Sequence, residues 1–501
     1  MTTSPLNPLT LSATKAREML QAGKVTSVDL VELYLSQIER HNNQGAKLNA
    51  IIQVAPHEML MEKARQLDQE RASKKIRGPL HGVPIIVKDA FLTPSLGMGT
   101  TCGSFALKDQ HATEDAAVIK LLVKAGMIVI SKANLSEWEV TKRTISQVVG
   151  PPWVARIKTQ SPYIRTPAGS SSGSAVGVAA GFAPLALGAE TDGSVVQPAN
   201  RAAVYGLKAN HGSTKMSGVM PGASSLDCLG AFAKTPHDLA DLMSIIMEQP
   251  FESMVDTRWT GMRVGFVETS LWRFPDTIIE QVPEFHKQLE LEITAARKTI
   301  ANSGADVVYP AQLMQYNELF ADIAGVDDVD PLIAYEFPRL IEDFLKLFPN
   351  APVRTLSDLI KFNDTHATGE LPAHQPTQDR FIDMNNDKTT QEQFDSILAK
   401  IRSRATSEID RTLKENNIDV ILGPGDARFC SFAGAAGGPV ASLPLGFANF
   451  NGRAFGVHAL ARPGEEQKLL QVMAAWETAF PDATKPPSWL VEQDEAFETK
   501  A

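Results

Sequence analysis

The chain has 501 residues, 43% of them hydrophobic, and a formal net charge of −10. That is enough apolar material for a large core, and length alone suggests about three domains, a prior that single large α/β folds often break. The acidic balance argues against a nucleic-acid-binding surface, because phosphate contacts need clustered Lys and Arg.

The N-terminal MTTSPL has neither a basic region nor an apolar one, so no secretory signal is read there. Residues 26–40 read as an amphipathic helix, with Ser27 able to cap it and Val28, Val31, Leu35 and Ile38 on one face. Residues 48–75 continue in a helical style. Residues 80–87 are apolar and β-branched and follow Gly78-Pro79, which predicts a buried strand with Lys88 at its end. A helix over 115–125 feeds a short strand at 127–130. This β…α–β rhythm predicts a mostly parallel sheet covered by helices.

Further on, 262–267 and 305–308 read as strands around a long helix at 278–303. Residues 319–376 are irregular, and 396–416 form a helix feeding the apolar 418–422. The expectation is one compact domain over 1–501, with its core at about 78–245 and a variable, substrate-facing region at about 270–400. Cys102, Cys228 and Cys430 lie far apart without C-x-x-C spacing. They predict no disulfide framework and no thiolate zinc site, and read as reduced core thiols of an intracellular protein. The longest apolar stretch, 175–189, is too short and glycine-broken to span a bilayer.

Residues 166–210 hold the chemistry. Two serine clusters, Ser170-Ser171-Ser172 and Asp192-Gly193-Ser194, flank a run of small apolar residues with no charged face, which should be buried on all sides. GSSSG at 169–173 also fits G-x-S-x-G, the nucleophile elbow of α/β-hydrolases, with Ser171 as nucleophile. That reading needs a strand just before it, and 157–165 does not read as a clean one. The ten histidines are scattered, and no Ser/His/Asp arrangement can be read from them. A lysine at a strand's end in an α/β fold is well placed for ligands, and burial would let Lys88 act as a base.

GVPIIVKD (82–89), AGSSSGS (168–174), ETDGS (190–194) and GLK (206–208) together resemble the amidase signature family. AGKVTS (22–27), KANLSEW (132–138), SLD (225–227) and GPVASLPLG (438–446) also resemble family segments, in family order. The resemblance covers nearly the whole chain. It implies an α/β/α sandwich around a large mixed, mostly parallel sheet, and an amide hydrolase that needs no metal or organic cofactor.

By the same resemblance, Lys88 is the base, Ser170 is a relay serine held by a cis peptide bond, and Ser194 is the nucleophile. The amides of Thr191, Asp192, Gly193 and Ser194 would form the oxyanion hole. The ETDGS form resembles a peptide-amidase-like branch. Three departures stand out: Asp192 for a usual glycine, Ala168 before the relay serine, and Ala209-Asn210 after Lys208.

QPA (197–199) and SLD are also similar to the amidotransferase subunit that frees ammonia from glutamine. An acyl-transfer or amide-forming enzyme and an inactive binding protein are the other classes open. Asp426 and Arg428 are candidate substrate contacts or plain loop residues, and His211 and Tyr205 carry the same two readings. The expected partner is a small-molecule or peptide amide in the cytoplasm, with no nucleic acid and no membrane, and a homodimer is left open.

Overall fold

The computed structural model describes residues 6–139, 167–251, 257–276, 278–323, 325–372 and 376–498. Its centre is one eleven-stranded sheet. The strands in chain order are β1 (Ile51–Val54), β2 (Pro84–Lys88), β3 (Ile128–Ala133), β4 (Leu185–Glu190), β5 (Tyr205–Lys208), β6 (Cys228–Ala233), β7 (Arg263–Phe266), β8 (Asp306–Val308), β9 (Val420–Pro424), β10 (Val440–Phe447) and β11 (Ala454–Leu460). Across the sheet they run β1-β3-β2-β4-β6-β5-β10-β11-β9-β7-β8.

The sheet is mixed, as expected, but its parallel share is smaller than the sequence rhythm predicts. Parallel pairing joins β2 to β3 and β4, and β7 to β8 and β9. The other six pairings are antiparallel. The difference lies in β5, β6, β10 and β11, for which the sequence reading assigned no strand. CLGAFA at 228–233 shows why: glycine and alanine have weak strand preference, and a strand buried on both faces shows no alternation.

Local signals place the other elements. The first long helix is Ser27–His41, and its cap is Thr26 rather than Ser27. Thr26 accepts from the Asp29 amide while the Asp29 carboxylate takes the Thr26 N–H, a reciprocal capping box. Its inward face is Leu30, Val31, Tyr34 and Ile38, one step round from the expected stripe. Residues 48–75 break into β1 and the helix His57–Ala72. Among the described residues, no helix is long and apolar enough to cross a membrane.

The small-residue run folds into the helix Ser172–Ala179 followed by β4, every residue buried. The helix packs on β2 and β4. A Cβ at Gly177 would stand 2.8 Å from Ile86 Cδ1, and one at Gly188 2.6 Å from Ser171 Oγ. The glycines therefore set how closely helix and sheet approach. Because β2 and β4 are parallel neighbours, Lys88 and Glu190 end their strands at the same edge. The turn that carries Ser194 leaves from that edge.

Candidate active site

Three segments meet at this edge. Lys88 is fully buried, and its ammonium donates to Ser170 Oγ at 2.7 Å and to the Ala189 carbonyl at 3.2 Å. The Gly169–Ser170 peptide is cis. The Ser170 carbonyl accepts the Ser136 N–H at 3.0 Å, and the Ser171 N–H reaches the Ser194 carbonyl at 3.1 Å. The Ser170 loop is thereby tied to the Ser194 turn. Ser171 donates its hydroxyl to the Ala189 carbonyl at 3.1 Å. The strand that an elbow at Ser171 requires falls within 157–165, outside the described residues.

The Ser194 turn is braced by buried carboxylates. Glu190 Oε2 accepts the amides of Val195 and Val196 at 2.7 and 3.0 Å, and its charge also engages the Gly193 amide. Gly193 sits at φ +82°, where an L side chain is strained, and a Cβ there would stand 3.1 Å from Cys430 Sγ and Gln197 Cγ. The amides of Thr191, Asp192 and Ser194 have no acceptor among the described residues. Thr191 donates its hydroxyl to Asp227 at 2.6 Å, and Asp227 takes the Gly222 and Ala223 amides. Burial pushes the Asp227 carboxyl up to about 7.

One partner of Lys88 had no signal in the sequence. Glu139 Oε1 lies 2.6 Å from Lys88 Nζ, with both side chains buried. Burial lowers the Lys88 pKa, and the Glu139 carboxylate opposes that shift. Burial raises the Glu139 pKa, and Lys88 opposes it in turn. The pair is 51 positions apart in the chain, so only the fold brings it together.

The looser candidates separate cleanly. Asp426 is buried between Arg201 at 2.9 Å and Arg453 at 2.6 Å, an internal ion cluster. Arg428 bridges Asp192 at 3.4 Å and Asp328 at 2.5 Å, beside the Ser194 turn. His211 bonds the Ser224 carbonyl, and Tyr205 is enclosed within β5. Cys102, Cys228 and Cys430 are free and buried. Cys430 lies against Gln197 at 3.3 Å, and Cys228 against Lys208 at 3.7 Å.

A buried amine on a serine hydroxyl, joined to a second serine on a glycine turn with open amides, is a constellation for acyl transfer. The fold and this chemistry define an amide-hydrolysing α/β enzyme. The family model described as Amidase matches residues 29–470, and the chain belongs to that family. A probable amidase from Arabidopsis thaliana is 29% identical over 476 residues, covering 93% of this chain and 89% of its own. The native peptide amidase from Stenotrophomonas maltophilia superposes with a TM-score of 0.82 at 27% identity, covering 96% of this chain and 99% of its own. The A subunit of glutamyl-tRNA(Gln) amidotransferase from Symbiobacterium thermophilum is 40% identical over 239 residues, 47% of this chain and 46% of its own.

Proposed function

We propose that the chain hydrolyses a carboxamide through an acyl-enzyme on Ser194, with Ser170 and Lys88 as the proton relay. The observation that carries this is the 2.7 Å contact from Lys88 Nζ to Ser170 Oγ in a fully buried setting. A hydroxyl becomes a competent nucleophile when a base takes its proton, and a lysine can be that base once burial favours its neutral form. Ser194 Oγ attacks the amide carbon while its proton passes to Ser170 and the Ser170 proton to Lys88. In this reading the amides of Thr191, Asp192 and Ser194, which have no acceptor among the described residues, hold the resulting oxyanion. Gly193, whose amide faces Glu190, contributes the turn instead. The C–N bond then breaks, and the amine leaves with the proton returned through Ser170. Water repeats the sequence on the ester and releases the acid.

In this reading 1–501 is one amidase domain, its core at about 78–245, acting in the cytoplasm on a small-molecule or peptide amide. Ser194→Ala should lower kcat on a simple carboxamide by about 10³-fold or more, on the scale of lost catalytic groups. Full turnover by that variant would overturn the reading. The stretch similar to the amidotransferase subunit supports a second reading, ammonia release within a complex. Hydrolysis of simple amides by the purified chain alone would exclude it.

A further inference from the structure

The turn that offers its amides to the oxyanion meets two opposed conditions. Those amides must stay free for the substrate, and they must be held in one place, because catalysis by such a hole comes from donors fixed in advance. The two ends of the turn are anchored. Thr191 is tied through its hydroxyl to Asp227 at 2.6 Å, and the amides of Val195 and Val196 are tied to Glu190. The middle is not. Neither the N–H nor the carbonyl of Asp192 makes a hydrogen bond among the described residues, and Gly193 beside it, at φ +82°, has no side chain to pack.

What holds Asp192 is its side chain. Arg428 Nη1 lies 3.4 Å from Asp192 Oδ2, and Arg428 Nη2 lies 2.5 Å from Asp328 Oδ2. The same guanidinium stands 5.2 Å from the centre of the Tyr316 ring, and Tyr316 donates its hydroxyl to Asp328 Oδ1 at 2.8 Å. A planar guanidinium can engage two carboxylates and an aromatic face together, which a compact ammonium cannot. The Arg428, Asp192 and Asp328 side chains are 19%, 21% and 18% exposed, so salt screens their attraction less than it would on an open surface. Burial pushes the Asp192 carboxyl up to about 6, and the Arg428 charge opposes that shift.

Arg428 directly precedes the helix Phe429–Ala436, which packs along the turn. A Cβ on Gly193 would meet Cys430 Sγ at 3.1 Å, and one on Gly434 would lie 3.6 Å from the Thr191 carbonyl oxygen. The helix itself, FCSFAGAA, carries no charged residue, so the ionic hold on Asp192 falls to Arg428. We infer that Arg428 is a positioning residue for the oxyanion hole: by holding the Asp192 carboxylate between the helix start and Asp328, it fixes the Asp192 amide where negative charge develops. The inference rests on the acyl-enzyme reading and adds a residue to that site. A turn with glycine at 192 would have no such handle.

The test reads how fast a fluorophosphonate labels Ser194, because the phosphoryl oxygen of that probe takes the oxyanion's place. Rates are followed by mass spectrometry against probe concentration in the full chain, in Arg428→Met, in Asp192→Ala and in the double variant, with a urea midpoint for each. Each single variant should lower the limiting rate by about tenfold or more, part of what losing a whole oxyanion donor does. The half-saturating concentration should move by less than about threefold, since the hole acts on the transition state rather than on the bound probe. The double variant should be no slower than the slower single one, because both changes break the same contact. A residue that only steadied its loop would shift the urea midpoint and leave labelling of the folded protein unchanged. Wild-type rates in the single variants, or losses that multiply in the double variant, would overturn the inference. If Arg428→Met does not fold, Asp192→Ala decides alone: slow labelling upholds the inference and wild-type labelling overturns it. No label on Ser194 in the wild type would instead remove the acyl-enzyme reading, and this inference with it.

Discussion

Lys88 faces two opposed demands. As a base it must be neutral, and burial favours that; Glu139 at 2.6 Å favours the ammonium. Activity should therefore rise with pH as Lys88 sheds its proton. Replacing Glu139 with Gln removes the charge that raises the Lys88 pKa, so the acid limb of kcat/KM should move to lower pH. An acid limb that stays in place, measured across the neutral and alkaline range, would detach Glu139 from the base. The residue scale is also where the sequence was most and least legible. Lys88, Ser170 and Ser194 each sit in a local pattern (an apolar strand end, a Gly/Ser cluster and a glycine turn), but the patterns alone left Ser171 open, and it was the resemblance to the amidase signature family that singled out the three. Glu139 could not be picked out, since its role comes from a contact across the fold. Asp426 reads in the sequence as a substrate contact or a plain loop acid, and only packing reveals Arg201 and Arg453 on either side of it.

At the scale of elements, the helix Ser172–Ala179 sets the serines against the sheet by close approach rather than by large side chains. A Cβ at Gly173 would lie 2.3 Å from the Ala50 carbonyl oxygen and 2.4 Å from the Asn134 nitrogen. These are backbone atoms that cannot rotate away. Gly173→Ala should thus cost about 1–3 kcal/mol of stability, the usual scale of overpacking. It should also lower kcat by tilting the loop that carries Ser170. A urea midpoint equal to wild type would contradict this account of the helix. The mostly small, apolar run from 173 to 189 announced burial, but not the break into helix and strand, because neither period is visible when nearly every position is apolar. The antiparallel half of the sheet was hidden for the same reason.

Across the whole molecule, the sheet carries another buried titrating group far from Lys88 in sequence. His458 on β11 is fully buried, bonds only the Val196 carbonyl at 3.3 Å among the described residues, and has its pKa pushed down by burial to about 4. Its folded-state pKa lies below the unfolded value of 6.5. Its contribution to stability is therefore complete above pH 6.5 and is lost as pH falls toward 4. At about 1.4 kcal/mol per pH unit, roughly 3 kcal/mol is at stake. The stability difference between wild type and His458→Gln should shrink by about that much between pH 7.5 and pH 4 in denaturant titrations. A difference that stays constant would show that the imidazole does not titrate there.

The central claim is that Lys88, through Ser170, makes Ser194 nucleophilic, and one measurement addresses it without knowledge of the substrate. The purified chain is treated with a fluorophosphonate probe and the labelled peptide is mapped by mass spectrometry, alongside Lys88→Ala. The account predicts label on Ser194 that is lost in Lys88→Ala. Label on Ser171, or label on Ser194 that persists without Lys88, would contradict it.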